Sequence, residues 1–238
     1  MIKHAPLVTA IVAATVFIAV SARAQSADSV LQKMRDTYGA MKSYSDTGHI
    51  VNEYGATDRH TFSTYFNRSP RRFLLDFRKQ GGDQFVIWAD QDAFHTWWKT
   101  TTQQTDYPNP NNAPAISMSG RNTTSAALKA PALLYSKVDL GGDFNNFADI
   151  TLDGTENIAG HDCYRLVGRA SDRYAATDKE VNVRKMTVWV DTSSSLLRQV
   201  REEWKAAGGG VNRITTTYQP QANPTIDDGK FRFIPPTQ

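Results

Sequence analysis

The sequence predicts an α+β fold in which helices cover a large, curved antiparallel sheet. Short runs rich in aromatic residues follow one another between residues 62 and 99, and turn-forming residues separate them. These runs are too short and too aromatic for helices and are typical of consecutive strands. A helical pattern precedes them, a second one interrupts the strand patterns in the middle of the chain, and the sequence indicates roughly nine to eleven strands in all.

The strands between residues 62 and 99 are expected to present one strongly apolar face. Phe73, Leu75 and Phe77 alternate with more polar neighbours, so they share one face of their strand. A curved sheet that carries such a face encloses an apolar volume, which either packs dry or accepts a hydrocarbon ligand. The predicted wall of this volume consists of Phe62, Phe66, Phe73, Leu75, Phe77, Phe85, Ile87 and Trp98.

Two segments carry helical patterns. The first covers residues 26 to 43, with Asp28 as the expected N-cap and apolar residues that recur at helical spacing. The second covers residues 123 to 137, where Pro131 is expected to begin a short helix that contains Leu133 and Leu134. The intervening segment, residues 100 to 121, is predicted to be a long irregular loop.

The N-terminal residues 1 to 24 are expected to be a secretory signal peptide. Lys3 provides a positive start, residues 7 to 20 are apolar, and Ala22 and Ala24 frame a cleavage site before Gln25. The apolar run is short for a membrane span, and no cysteine follows it as an acylation site. We therefore expect a soluble exported protein, which would be periplasmic in a Gram-negative bacterium.

The composition of the mature chain excludes several classes of function. Removing the first 24 of the 238 residues leaves 214, a length suited to one domain over residues 25 to 238, with 25 basic and 24 acidic residues. Because the basic residues are not clustered, the sequence pI of about 8.9 does not indicate nucleic-acid binding. Cys163 is the only cysteine, so the fold depends on its apolar core rather than on an internal disulfide, and we expect a monomer.

Two clusters deserve comparison with catalytic or metal-binding chemistry. His161 and Cys163 are two residues apart on a predicted strand, which would place an imidazole near a thiol, but an unpaired cysteine is more often a small buried hydrophobe. Asp90, Asp92 and His95 could bind a metal, but Asp-Gln-Asp is ordinary turn composition. We find no convergent catalytic constellation and expect a protein that is not an enzyme and needs no metal or cofactor.

Several motifs resemble the LolA-like family of periplasmic outer-membrane lipoprotein carriers, the wider superfamily with LolA/LolB/RseB-like folds. They are a strand that starts Pro70-x-x-Phe73, an Asp-rich hairpin between Trp88 and Trp98, and the ending Gly229-Lys-Phe-Arg-Phe-Ile-Pro-Pro236. Together with the opening helix and the central helical insertion, they span nearly all of the mature chain. The ending is the most specific of these motifs.

The resemblance implies an unclosed β-barrel whose concave apolar face is lidded by helices and holds the acyl chains of a lipid or an acylated lipoprotein. It also implies transport or sorting to the outer membrane, between an inner-membrane donor and an outer-membrane acceptor. The alternative is a non-catalytic envelope sensor or scaffold domain that binds lipid or a protein partner. The residues expected at the lid and entrance are Arg68, Ser69, Arg71, Leu133 and Leu134.

The entrance departs from the family pattern at one position. In the carriers, an arginine directly precedes the proline of the strand start and fastens the lid by bonding to helix backbone; here that position is Ser69. Because neighbouring residues on a strand point to opposite faces, Arg68 is not expected to be a simple substitute. Whether Arg68 or Arg71 takes the fastening role is open at this point.

Overall fold

The computed structural model describes residues 25–90, 93–107, 129–135, 144, 147–171, 183–206 and 208–236. The predicted signal peptide lies outside these residues, as do Asp92, most of the predicted loop and part of the central helical segment. Among the described residues, no helix has the length and hydropathy needed to cross a bilayer.

The described elements are two α-helices, twelve strands and one 3-10 helix near the C-terminal end. In chain order they are α1 (Ala27–Ala40), β1 (Ser43–Tyr54), β2 (Ala56–Arg68), β3 (Arg71–Lys79), β4 (Gln84–Ala89), β5 (Phe94–Trp98), β6 (Gln103–Tyr107), α2 (Lys129–Leu134), β7 (Phe147–Ile158), β8 (His161–Ser171), β9 (Val183–Asp191), β10 (Leu197–Lys205), β11 (Val211–Tyr218), β12 (Gln221–Ala222) and the 3-10 helix Asp228–Phe231.

All twelve strands belong to one antiparallel sheet that does not close on itself. The strand order is β6-β5-β4-β3-β2-β1-β11-β10-β9-β8-β7, and β12 adds to β1 beyond the end of β11. The predicted α+β unclosed barrel is confirmed, with slightly more strands than the nine to eleven expected. One of the extra strands is β6, which pairs with β5 inside the segment predicted as an irregular loop, so that prediction was wrong for residues 103 to 107.

Helix α1 begins one residue after Ser26, which is its N-cap in place of the predicted Asp28. The Ser26 hydroxyl accepts from the Ser29 backbone N–H at 3.1 Å, and the Ser29 hydroxyl accepts from the Ser26 N–H at 3.1 Å. This reciprocal pair satisfies two backbone donors that the first turn leaves open. The helix ends at Ala40, because Met41 takes an extended conformation and leads directly into β1.

The core lies between the concave face of the sheet and the two helices. One side of α1 is buried on it through Val30, Leu31, Met34 and Tyr38, and α2 is buried along its whole length. These residues form a single apolar cluster with the inward-facing residues of the strands. The predicted position of the helices over the concave face is therefore confirmed.

A second, smaller apolar cluster covers the outer face of β3, β4 and β5. It consists of Leu74, Val86, Trp88 and Trp97, with Tyr65 and Phe233 packed against it. Phe233 belongs to the chain that follows the 3-10 helix, and its ring lies 5.2 Å from the rings of both Trp88 and Trp97. An ion pair of 2.6 Å between Arg72 and Asp228 also holds this C-terminal tail to β3.

The opposite end of the sheet is more open. Strand β7 lies at the edge and is exposed along most of its length, and its pairing with β8 shifts register twice. Each shift leaves backbone groups outside the regular ladder and bends the strand.

Gly48 allows the Phe62 ring to pack directly over the backbone of the sheet. It lies on β1 between Phe62 and Tyr218, whose rings meet edge to face at 5.6 Å across it. A Cβ at this position would overlap the Phe62 ring and come within 2.6 Å of the Thr217 carbonyl oxygen. The glycine therefore makes room for an aromatic contact between strands that are not neighbours.

Replacing Gly48 with alanine is expected to lower the free energy of unfolding by about 2 kcal/mol, since a buried ring would have to move. Equilibrium unfolding in urea measures this loss. Gly81→Ala is the matched control, because a Cβ there meets nothing within 4 Å. Equal stability of the two variants would show that the Phe62 ring is not confined as described.

Candidate ligand-binding face and its lid

The predicted wall residues come together on the concave face. Cross-strand pairing places Phe62 opposite Phe77, Phe66 opposite Phe73, Leu75 opposite Ile87 and Phe77 opposite Phe85. Seven of the eight predicted wall residues, all except Trp98, are buried in the main apolar cluster. The same cluster contains apolar residues of both lid helices. The result is one continuous aromatic and aliphatic surface across β2, β3 and β4.

Trp98 marks the border of this surface. It pairs with Phe85 and packs against the main cluster, but it is only partly buried. Its indole Nε1–H donates to Asp83 Oδ2 at 2.7 Å, and the Lys79 ammonium lies 5.5 Å from its ring centroid. The indole therefore borders the wall with its apolar ring, while its N–H is paired with Asp83.

Helix α2 contributes the predicted lid residues. Leu133 and Leu134 are buried in the main cluster, and the Tyr135 ring that follows contacts Phe66 at 5.5 Å and Phe73 at 5.8 Å, edge to face in both cases. The end of α2 thus lies directly on the aromatic wall.

Arg68 joins both helices to the sheet. Its Nε–H donates to the Met41 carbonyl oxygen at 2.7 Å, and one terminal nitrogen donates to the carbonyl oxygens of Tyr38 at 3.2 Å and Leu134 at 3.3 Å. These carbonyls lie at the C-terminal ends of α1 and α2, where helices leave acceptors unsatisfied and favour cations. One guanidinium therefore holds two helix ends.

The expectation that Arg68 lies on the wrong face was wrong. Phe66 and Arg68 are two residues apart on β2, so both side chains point to the concave side, and the guanidinium lies 5.1 Å from the Phe66 ring centroid. Ser69 and Arg71 are exposed, and the Arg71 guanidinium lies 5.9 Å from the Tyr135 ring centroid. Arg68 makes the helix-backbone contacts that the resemblance attributes to the arginine before the proline.

A second polar contact attaches α1 to the sheet from inside the core. The Tyr38 hydroxyl accepts from the Leu197 backbone N–H at 3.2 Å, and the Tyr38 and Tyr44 rings lie 5.5 Å apart. The Tyr44 hydroxyl donates to Asp46 Oδ2 at 3.0 Å, and the Gln219 N–H donates to Asp46 Oδ1 at 2.8 Å. Burial raises the pKa of Asp46 to about 7, although both hydrogen bonds oppose this rise.

Sequence reasoning missed Asp46 and other buried polar residues of the concave face. Asn52, His60 and Glu202 are all less than 6% exposed. Asp46 and Asn52 share the face of β1 that carries Ile50, so the alternation of strand residues was the available signal. Glu202 reaches the same row only through the pairing of β1 with β11 and of β11 with β10.

The His161 and Cys163 pair does not form a nucleophilic site. The Cys163 thiol is buried and donates to the His161 carbonyl oxygen at 3.3 Å, while His161 Nδ1 lies 3.1 Å from Asp191 Oδ2. Burial, followed by the charge of Asp191, raises the pKa of the Cys163 thiol to about 11. The thiol is therefore protonated at neutral pH and behaves as a small core residue.

The Asp90 and His95 part of the possible metal cluster forms a set of hydrogen-bonded contacts. His95 Nδ1 lies 2.8 Å from Asp106 Oδ1, its Nε2 lies 3.2 Å from Asp90 Oδ2, and its ring stacks on Trp88 at 4.9 Å. Within the described ranges, no group of three or more histidine, cysteine or acidic residues has the geometry of a metal site.

Comparison with known proteins identifies the fold but not a sequence family. No family model matches this sequence, and no curated protein matches it. Among solved structures, the lipoprotein LppX of Mycobacterium tuberculosis matches 83% of this chain and 95% of its own, with 13% identity and a TM-score of 0.50. A LolA superfamily protein from Nitrosomonas europaea matches 88% of this chain and 99% of its own, with 14% identity and a TM-score of 0.35.

The MucB protein of Pseudomonas aeruginosa, in its complex with MucA, matches 87% of this chain and 60% of its own, with 12% identity and a TM-score of 0.45. At these identities, the likeness concerns the fold alone. The fold of this chain is similar to that of LppX, and it is an unclosed antiparallel half-barrel with helices on its concave face.

Proposed function

We propose that this chain is an exported, non-catalytic carrier that binds a lipid, or the acyl chains of a lipoprotein, on the concave face of its half-barrel. The observation that carries the proposal is the continuous apolar wall of β2, β3 and β4, which two short helices cover in place of a second sheet. Hydrocarbon that replaced the helices on this wall would gain about 0.8 kcal/mol per buried CH₂.

The attachment of the lid supports this proposal. Helix α1 is joined to β1 through Met41 and Lys42 alone, and Arg68 holds the ends of both helices. The described polar contacts between the helices and the sheet are the bonds of Arg68, the bond between Tyr38 and Leu197, and the ion pair of Lys129 with Glu202, and all of them can break while the sheet ladder stays intact. Such a device suits a protein that loads and releases an apolar cargo.

The finer part of the proposal is the route of the cargo. The signal-like N-terminus supports export to the periplasm, and the resemblance favours transfer of an acylated lipoprotein from an inner-membrane donor to an outer-membrane acceptor. We propose that the protein acts as a monomer without cofactors and does not bind nucleic acid.

The purified protein is expected to take up a fluorescent fatty-acid probe, and a diacylated lipopeptide is expected to displace it. Replacing Leu75 with asparagine should weaken probe binding about tenfold or more, because a polar amide would face the hydrocarbon. A fluorescence titration measures both quantities.

Leu74→Asn is the matched control, since Leu74 is the next residue on the same strand and points to the outer cluster. It should leave the probe affinity within about twofold. If the wild-type protein takes up no probe, or if both variants weaken binding equally, the concave wall is not the lipid site.

A further inference from the structure

The concave face is not apolar throughout, because polar side chains cross one end of it. Asn52 on β1 and His60 on β2 are 3% and 5% exposed and point to the same side as Phe62. His60 Nε2 lies 3.0 Å from Asn52 Nδ2 and 3.0 Å from Asp58 Oδ2. The His60 ring also packs on the Phe77 ring of the apolar wall at 5.3 Å.

Two polar atoms of this pair are left over. Asn52 Oδ1 is buried without a hydrogen-bond partner among the described residues. His60 Nδ1 is also buried without a hydrogen bond of regular geometry there, although the imidazole does interact with the backbone of Arg59. Buried polar atoms are nearly always paired, so Asn52 Oδ1 requires a partner outside the described residues, and His60 Nδ1 has room for a better one.

The same end of the face carries a buried ion cluster. Cross-strand pairing places Asn52 opposite Ile214, and Ile214 opposite Glu202 on β10. Glu202 Oε1 lies 3.6 Å from Lys129 Nζ on α2 and 3.9 Å from a terminal nitrogen of Arg184 on β9. A band of polar side chains, interrupted by Ile214 on β11, therefore runs from β2 to β9 beside the apolar wall.

Aromatic residues border the polar band on its solvent side. The Trp204 ring lies 5.3 Å from the Tyr54 ring and 4.7 Å from the Arg184 guanidinium. Tyr54 is 43% exposed and the Arg184 side chain is 26% exposed, so this end of the band lies next to the protein surface. A molecule lying along the face would have its chain on the wall and its polar end here.

The charges of the polar band determine which kind of lipid head group fits it. Lys79 lies opposite His60 and pairs with Asp83 at 3.4 Å, so the three carboxylates Asp58, Asp83 and Glu202 balance the three cations Lys79, Lys129 and Arg184. Burial lowers the pKa of His60, so the imidazole is neutral at neutral pH. The described part of the band has no net charge, while Asn52 Oδ1 requires a hydrogen-bond donor.

We propose that the polar band formed by Asn52, His60, Glu202, Lys129 and Arg184 is a subsite for an uncharged, hydroxyl-bearing head group of the bound lipid. This inference rests on the proposed function, because the acyl chains of the same ligand would occupy the apolar wall. A head-group hydroxyl donates to Asn52 Oδ1, and a second hydroxyl pairs with His60 Nδ1.

Competition against the fluorescent fatty-acid probe tests this subsite on the wild-type protein. Three ligands with the same C16 chain are compared: monopalmitoylglycerol, which has two hydroxyls; methyl palmitate, which has none; and palmitoyl lysophosphatidic acid, which is anionic. We expect monopalmitoylglycerol to bind about tenfold or more tightly than each of the other two, because only it satisfies the buried atoms without adding charge.

Two variants test whether Asn52 and His60 cause the preference for monopalmitoylglycerol. Asn52→Leu should reduce the advantage of monopalmitoylglycerol over methyl palmitate to about twofold, with methyl palmitate bound as in the wild type. His60→Phe should reduce it in the same direction, and circular dichroism confirms that each variant is folded. If one variant fails to fold, the other variant and the wild-type series still decide the question.

The outcomes separate this inference from the proposed function. Equal binding of monopalmitoylglycerol and methyl palmitate overturns the subsite and leaves the carrier proposal standing, because buried water would then satisfy Asn52 and His60. Tightest binding of the anionic lipid overturns the uncharged head group. Probe uptake without displacement by any of the three lipids overturns the subsite, and absence of probe uptake overturns the carrier proposal itself.

Discussion

Replacing Arg68 with alanine is expected to lower the free energy of unfolding by about 3 kcal/mol and to free both lid helices. The guanidinium donates to carbonyl oxygens at the ends of α1 and α2, and its loss would leave three acceptors without that charged donor. Urea unfolding measures the stability. Hydrogen exchange of the α1 amides measures the release of the helix, which should be faster than in the wild type.

Arg78→Ala is the control for this experiment, because Arg78 is exposed and its hydrogen bonds to described residues go to Asp76 on its own strand. That variant should change stability by less than about 0.5 kcal/mol. Arg68→Lys keeps the charge but loses the planar fork, so it should restore only part of the stability. Unchanged α1 exchange in Arg68→Ala would contradict the role of Arg68 as the shared fastener.

The second large effect is a pH dependence that originates at Asp46. Its pKa is raised to about 7 in the folded protein, above the ordinary value of 3.8. Between these two pH values, the folded state keeps a proton that the unfolded state has released. The stability that this group contributes is therefore complete below about pH 4 and declines as the pH rises through 7.

Asp46→Asn mimics the protonated carboxyl and removes this titration. Near pH 4 the variant should be about as stable as the wild type, and at pH 8 it should be more stable by up to about 4 kcal/mol, the equivalent of roughly three pH units. Urea unfolding at pH 4, 6 and 8 measures the difference. Asp28→Asn is the control, because Asp28 is exposed in the first turn of α1. The difference in stability between this variant and the wild type should not change with pH. A difference of the Asp46 variant that does not grow between pH 4 and 8 would contradict the raised pKa.

The wall and the first helix could be predicted because local periodicity encodes them. Phe73, Leu75 and Phe77 alternate along one strand, and the apolar positions of α1 recur at helical spacing. Both patterns arise from a single buried face, so a few neighbouring residues are enough to identify them.

Other elements leave weaker local signals. Strand β6 is polar except for Tyr107, which packs against the main apolar cluster, and it pairs with β5 through its backbone, so no alternation of apolar residues marks it. The place of Arg68 could have been found by counting two residues on from Phe66, but the family motif directed attention to Ser69. The helix cap depends on the reciprocal bonds of Ser26 and Ser29, which composition alone does not separate from a cap at Asp28.

The polar band could not be predicted, because its members meet only in the folded sheet. Asn52 and Glu202 are 150 positions apart in the sequence, and Ile214 on β11 brings them into one row. Asn52 and Glu202 lie in one row because β11 is placed between β1 and β10 in the sheet. No local sequence pattern encodes this order of strands.

The clusters on both faces of β3 and β4 give the half-barrel two mechanically different sides. The lid helices pack on the concave face of these strands, and the tryptophans and the C-terminal tail pack on their outer face. Moving these strands would therefore disrupt an apolar cluster on either face. The edge formed by β7 has solvent along most of its length and an interrupted ladder. A large ligand on the concave face would therefore displace the helices and the β7 edge. The aromatic wall on β3 and β4 would keep its position.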